Sequence, residues 1–147
     1  MNMIRSSKKL GSLSKALLIK YSYDNGGKVN KKERAKRILE DLRSTDIEAS
    51  SIVSRDGILI YSDIPNELHP DTFAAMSATM LGAAEAAMDE LKKGIPERVI
   101  VETKGERLIA TGAGSKALLV AMASSSTNLE SIIDKMIEAA EKIEELF

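Results

Sequence analysis

At 147 residues with 44% hydrophobic content, the chain suits one domain able to bury a core, with room for an extension. It has no cysteine and no apolar run approaching the ~18 residues of a spanning helix, so disulfides, thiolate metal sites and membrane insertion drop out and cytoplasmic residence is expected. The net charge of −1 conceals a division: residues 1–37 carry 11 Lys or Arg against 2 Asp or Glu, net +9, and the remainder carries 10 against 20, net −10.

Residues 1–30 read as a basic extension with a role of its own. As a helix it would place Leu10, Leu13, Leu17 and Tyr21 on one side and Lys8 and Lys15 on the other, the layout of a weak interfacial helix, although Ile19 sits among the lysines. A mobile or locally docked arm is the first expectation. A contact between an anionic membrane surface and Lys8, Lys9, Lys15 and Lys20 is the second, which would put the protein at the membrane periphery. The same lysines interrupt the apolar patch, so no secretory signal is read here. With 3% aromatic residues and no Trp, base-stacking platforms are poorly supplied and nucleic acid is disfavoured. Asp24-Asn25-Gly26-Gly27 closes the arm as a flexible joint.

Residues 31–147 form the domain. Lys31 to Ser44 is a predicted helix with Ala35, Ile38, Leu39 and Leu42 inward. Two β-rich runs follow, Ile47 to Ser54 and Ile58 to Ser62, separated by Arg55-Asp56-Gly57. Asp-Gly between such runs marks a hairpin, because both residues tolerate the positive φ of a tight turn. That turn chemistry accounts for Asp56 without a catalytic role.

Pro70 to Gly94 is the stretch on which the rest depends. Successive residues placed about 100° apart put Phe73, Met76, Met80, Ala84, Ala87, Met88 and Leu91 on one face, which is expected to lie on the core. The opposite face is not charged. It carries Ala75, Ala78, Thr79, Gly82 and Ala86, small enough for a second backbone to approach. A helix with no solvated side needs cover on both, and a second copy of the chain is the simplest source of the second cover. Another element of the same chain is the alternative.

Three short strands are expected next, Arg98 to Thr103, Arg107 to Thr111 and Lys116 to Ser124. Lys104-Gly105 makes a tight reversal and Gly112-Ala113-Gly114 a looser one. Ala117 to Ala123 lacks polar alternation, so that strand should be central and covered on both faces. Asn128 to Phe147 is an amphipathic helix with Leu129, Ile132, Ile133, Met136, Ile137, Ala140 and Ile143 inward, and Thr127 or Asn128 as its cap.

The fold class is therefore α+β: a five-stranded antiparallel sheet in an αβα sandwich, in the order α-β-β-α-β-β-β-α, with the central helix on one face and the first and last helices on the other. The hairpin IEASSIVSRDGILIYSD, the Ala-rich FAAMSATMLGAAEAAMDEL and the meander ERVIVETKGERLIATGAGSKALLVAMAS, in this order, resemble the roadblock family, named for the dynein light chain of that type. The likeness covers residues 31–147. It implies a small dimer in which two central helices pack together and meander edge strands can join two sheets. The partners it implies are Ras-like GTPases, dynein subunits or scaffolds that recruit GTPases to membranes. Only the resemblance brings in a GTPase; the helix pattern asks for a cover and does not name it.

Catalytic chemistry finds no support in the residues. His69 stands beside Pro70 with no nucleophile or carboxylate at a motif spacing, which suits a capping or surface role. Gly112 to Lys116 lacks the order of a phosphate-binding loop. Glu138, Glu141, Glu144 and Glu145 are spaced as a solvated helix face rather than a cation site. The expectation is thus a non-enzymatic homodimeric adaptor without cofactor or metal, docking a Ras-like GTPase or related machinery. Its interface would be built from Ala75, Ala78, Thr79, Gly82 and Ala86, with Arg55 at the hairpin tip as a candidate partner contact. Pairing with a related chain, a small-ligand sensor domain and a membrane-tethered scaffold are the competing readings.

Overall fold

The computed structural model describes residues 30–147; the expected contact of Lys8, Lys9, Lys15 and Lys20 with an anionic surface falls on positions outside the described residues. The compact unit that carries the sheet runs from Ala35 to Phe147.

Helix α1 spans Lys31–Arg43 and opens on Asn30, whose Oδ1 accepts from the Glu33 amide at 3.2 Å. Its apolar residues recur at helical spacing, and Ala35, Ile38, Leu39 and Leu42 are all buried. Strands β1 (Ile47–Ser54) and β2 (Leu59–Asp63) form the expected hairpin, with the positive φ of 86° falling on Gly57. Ile58 belongs to the turn and not to the strand: its carbonyl accepts from the Ser54 amide at 2.8 Å and its side chain is 66% exposed. Helix α2 is Pro70–Glu90, followed by β3 (Arg98–Glu102), β4 (Glu106–Ala113), β5 (Ala117–Ser124) and helix α3 (Leu129–Leu146). Asn128 caps α3, accepting from the Ser131 amide at 2.9 Å.

The sheet order is β2-β1-β5-β4-β3 and every pairing is antiparallel. β5 lies in the middle, where its unbroken apolar run is buried from both sides. One core cluster joins α1 and α3 to one sheet face through Leu39, Ile52, Leu119, Ile132, Met136 and Ile143. A smaller one joins α2 to the other face through Val53, Ala74, Leu81, Ala110, Leu118 and Val120. The architecture is the three-layer αβα sandwich, with the helices distributed as expected.

Two local expectations are corrected. β4 does not stop at Thr111: Gly112 and Ala113 continue the ladder, Ala113 pairs with Ala117, and the reversal is Gly114-Ser115-Lys116 with φ of 83° at Gly114. The positive φ that turns the chain thus falls on the second glycine, and the first is strand. Ile137 is 39% exposed, while Ala139 and Leu146 are buried, so the inner stripe of α3 is turned away from Ile137.

Candidate interaction surface

Alanine and methionine favour helix, Pro70 fits its first turn, and the 21 residues of α2 form an uninterrupted rod. His69 precedes it in the left-handed region, φ 50°, and its side chain makes no capping hydrogen bond. Beyond the last turn Lys92 and Gly94 also take positive φ, 54° and 94°, and lead the chain away toward β3.

The helix meets the sheet on a different face from the one its periodicity suggests. Ala74, Ser77 and Leu81 are the buried residues, with Phe73, Ala78 and Met80 packed partly against the same cluster. Met76 and Leu91, expected inside, are 65% and 63% exposed. At about 100° per residue this is a roll of about 60° relative to the expected orientation. The inner contact is built from small side chains, and the Ser77 hydroxyl is buried without a hydrogen-bond partner.

The five small residues expected at an interface are distributed unequally. Thr79, Gly82 and Ala86 are exposed, and a Cβ placed on Gly82 would meet nothing within 4 Å. Ala78 is half-buried, and with exposed Ala75 it forms the seat of the hairpin tip: a Cβ on Gly57 would lie 3.2 Å from Ala75 Cα and 3.6 Å from Ala78 Cβ. Part of the small-residue face is therefore covered by the chain's own hairpin, and the part from Thr79 to Ala87 stays open. A shallow depression of about 360 Å³ lies where the two parts meet, lined by Ala75, Met76, Thr79 and Met80.

Other apolar side chains are exposed as well. Ile58 projects from the hairpin turn, Leu91 from the end of α2, Ile95 (85% exposed) from the loop before β3 and Val101 (41% exposed) from β3 itself. Val101 belongs to β3, an end strand of the sheet that pairs only with β4 among the described residues. An exposed end strand with an apolar residue on it is a template for further pairing.

Arg55, the candidate partner contact, is turned inward. Its Nη1 stands 3.2 Å from a Glu85 carboxylate oxygen on α2, and its side chain is 30% exposed. No local pattern announces that partner, which lies thirty residues further along the chain. Among the described residues no group of three or more His, Asp or Glu is placed to hold a metal ion, and no helix is long and apolar enough to cross a membrane.

The Roadblock/LC7 domain profile matches residues 36–123, more than half of the chain. The chain belongs to the Roadblock/LC7 family. Two proteins of Methanocaldococcus jannaschii, MJ1340 and MJ0310, both uncharacterized, are 32% and 31% identical to this roadblock chain over 112 residues, covering 76% of it and 97% of each relative. Among solved structures, Myxococcus xanthus MglB superposes with a TM-score of 0.75 at 17% identity, over 80% of this chain and 90% of that one. The gliding protein MglB of Thermus thermophilus gives 0.72 at 21% identity with the same coverage. At such identities these neighbours establish the roadblock fold, and the relatives and the profile establish the family.

Proposed function

We propose that this roadblock domain is a regulatory adaptor that pairs with a second copy of itself through the outer face of α2 and presents the paired helices to a small Ras-like GTPase or related machinery. The observation that carries the pairing is the open face itself. Thr79, Gly82, Ala83, Ala86 and Ala87 are exposed and uncharged, Met76 stands 65% exposed beside them, and the one charge between Thr79 and Ala87, Glu85, is paired with Arg55. A continuous apolar face of this kind marks a protein contact in a chain that stays soluble. A two-fold arrangement lets the same face serve on both copies, with Gly82 and Ala86 admitting close approach of the helices. A tetrameric arrangement is described for one solved MglB that shares the fold at 22% identity and a TM-score of 0.73, which is in keeping with self-association.

The GTPase enters by family likeness. In this reading the adaptor acts by binding one nucleotide state of the partner more tightly than the other, since only differential affinity shifts a conformational equilibrium. The test is a calorimetric titration of the full chain against Ras-like GTPases of the same cell, loaded with GDP or with a non-hydrolysable GTP analogue. Binding that distinguishes the two states supports the proposal. Equal binding to both, or none to either, contradicts it.

A further inference from the structure

Arg55 holds together three parts of the fold that are remote in sequence. Its Nη1 lies 3.2 Å and 3.3 Å from the two carboxylate oxygens of Glu85 on α2. Its Nη2 donates to the Gly114 carbonyl in the β4–β5 reversal at 2.8 Å, and its backbone amide donates to the Lys116 carbonyl at 3.1 Å. The hairpin, the central helix and the second reversal are thus joined through one side chain. A guanidinium suits this task because its donors form a rigid planar fork, which a lysine cannot offer.

The surroundings are shaped to this side chain. A Cβ on Gly112 would stand 2.8 Å from Arg55 Nη2, so the guanidinium occupies the volume that glycine leaves free. Gly112 is an ordinary strand residue paired with Leu118, and its φ lies outside the range that requires glycine. The space for Arg55 is what its missing side chain provides.

The helix on which Arg55 acts is seated mainly on small and partly buried side chains, with Phe73, Ala78 and Met80 at the edge of the contact. Its buried residues are Ala74, Ser77 and Leu81, of which only Leu81 is large. Small side chains form shallow ridges, and a helix seated on them can roll at low cost. Among the described residues, Arg55–Glu85 is the only ion pair in which α2 takes part. Glu85 lies seven residues after Ala78, on the same side of the helix and one register further from the hairpin seat. A tether at that flank resists rotation in a way that the apolar contact does not.

We propose that Arg55 and Glu85 form a clasp that sets the roll of α2 on the sheet, and so places the outer face through which the dimer forms. The clasp rests on the reading of that face given above. Arg55 and Glu85 are positioning residues: neither lies on the open face from Thr79 to Ala87, and each acts through the helix. The hairpin tip and the dimer surface are coupled through them.

The test measures the dimer dissociation constant of the full chain by sedimentation, together with the midpoint of urea unfolding. Arg55→Gln, Glu85→Gln and Gly112→Ala each weaken the dimer by about five- to tenfold, and the Arg55→Gln/Glu85→Gln double variant is no weaker than the weaker single one. Gly112→Ala keeps both charges and only displaces the guanidinium, so its agreement with the other two supports the clasp. Dimer constants within about twofold of the unaltered chain, whatever happens to the unfolding midpoint, overturn the clasp and leave the interface standing if Gly82→Leu still yields a monomer. A Gly82→Leu chain that remains a dimer overturns the interface and the clasp with it.

Discussion

Gly57 lies against Ala75: a Cβ added at the tip of the β1–β2 hairpin would stand 3.2 Å from the Ala75 Cα of the central helix. The contact joins a turn that requires glycine to a helix position that requires a small side chain, and it explains why two of the five small residues on that helix are already engaged. The remaining ones face outward.

Gly57→Ala meets two penalties at once, a φ of 86° that L-residues avoid and a helix backbone atom at 3.2 Å that must give by a few tenths of an ångström. The expected loss is about 1–3 kcal/mol of stability, read from urea unfolding of the purified chain. A loss below about 0.5 kcal/mol, the range of a neutral surface change, would mean that the hairpin does not rest on α2.

The roll of α2 predicts opposite outcomes for two large apolar residues five positions apart. Leu81 is 1% exposed, and Leu81→Ala removes a buried side chain at a cost of about 2–5 kcal/mol. Met76 is 65% exposed, and Met76→Ala leaves the unfolding free energy of the isolated chain within about 0.5 kcal/mol. Measured below the concentration at which copies associate, equal losses at the two positions would contradict the observed orientation.

That orientation was the least legible feature of the sequence, for a physical reason. Periodicity finds a face by contrast between apolar and polar residues, and α2 has apolar or small residues all round, so the template centred on Phe73 and Met80 fits almost as well as the true one. Where contrast exists the reading succeeds: α1 buries Ala35, Ile38, Leu39 and Leu42 as expected, because Lys, Arg and Glu occupy its other side. β5 was placeable as the middle strand because nothing polar interrupts Ala117 to Ala123. The family and the fold were legible from the combination of hairpin, small-residue helix and meander. The Arg55–Glu85 pair was not, since it joins residues on different elements with no local signature, and the reach of β4 to Ala113 was hidden by two glycines that look alike and differ in φ.

Glu48 is exposed on β1, and its carboxyl is held above its ordinary value of 4.5 by partial desolvation first and then by the nearby Glu106 carboxylate. A folded-state value above the unfolded one means that the native chain binds the proton more tightly. The penalty of ionising Glu48 is therefore fully present above the raised value, and stability from this group is regained as pH falls toward 4.5. Glu106→Gln removes the like charge, so the difference in urea midpoint between the variant and the unaltered chain shrinks as pH is lowered through that window. A difference that stays constant with pH would refute the coupling.

The central claim is that the open face of α2 is covered by its counterpart in a second copy, and Gly82 is where this can be read most directly. Because a Cβ there meets nothing within 4 Å, Gly82→Leu has room in the folded chain and also gains helix propensity. Sedimentation equilibrium should find a dimer for the unaltered chain and a folded monomer, with undiminished helical circular dichroism, for Gly82→Leu. A monomeric unaltered chain, or a variant that sediments as the same dimer, would contradict the account.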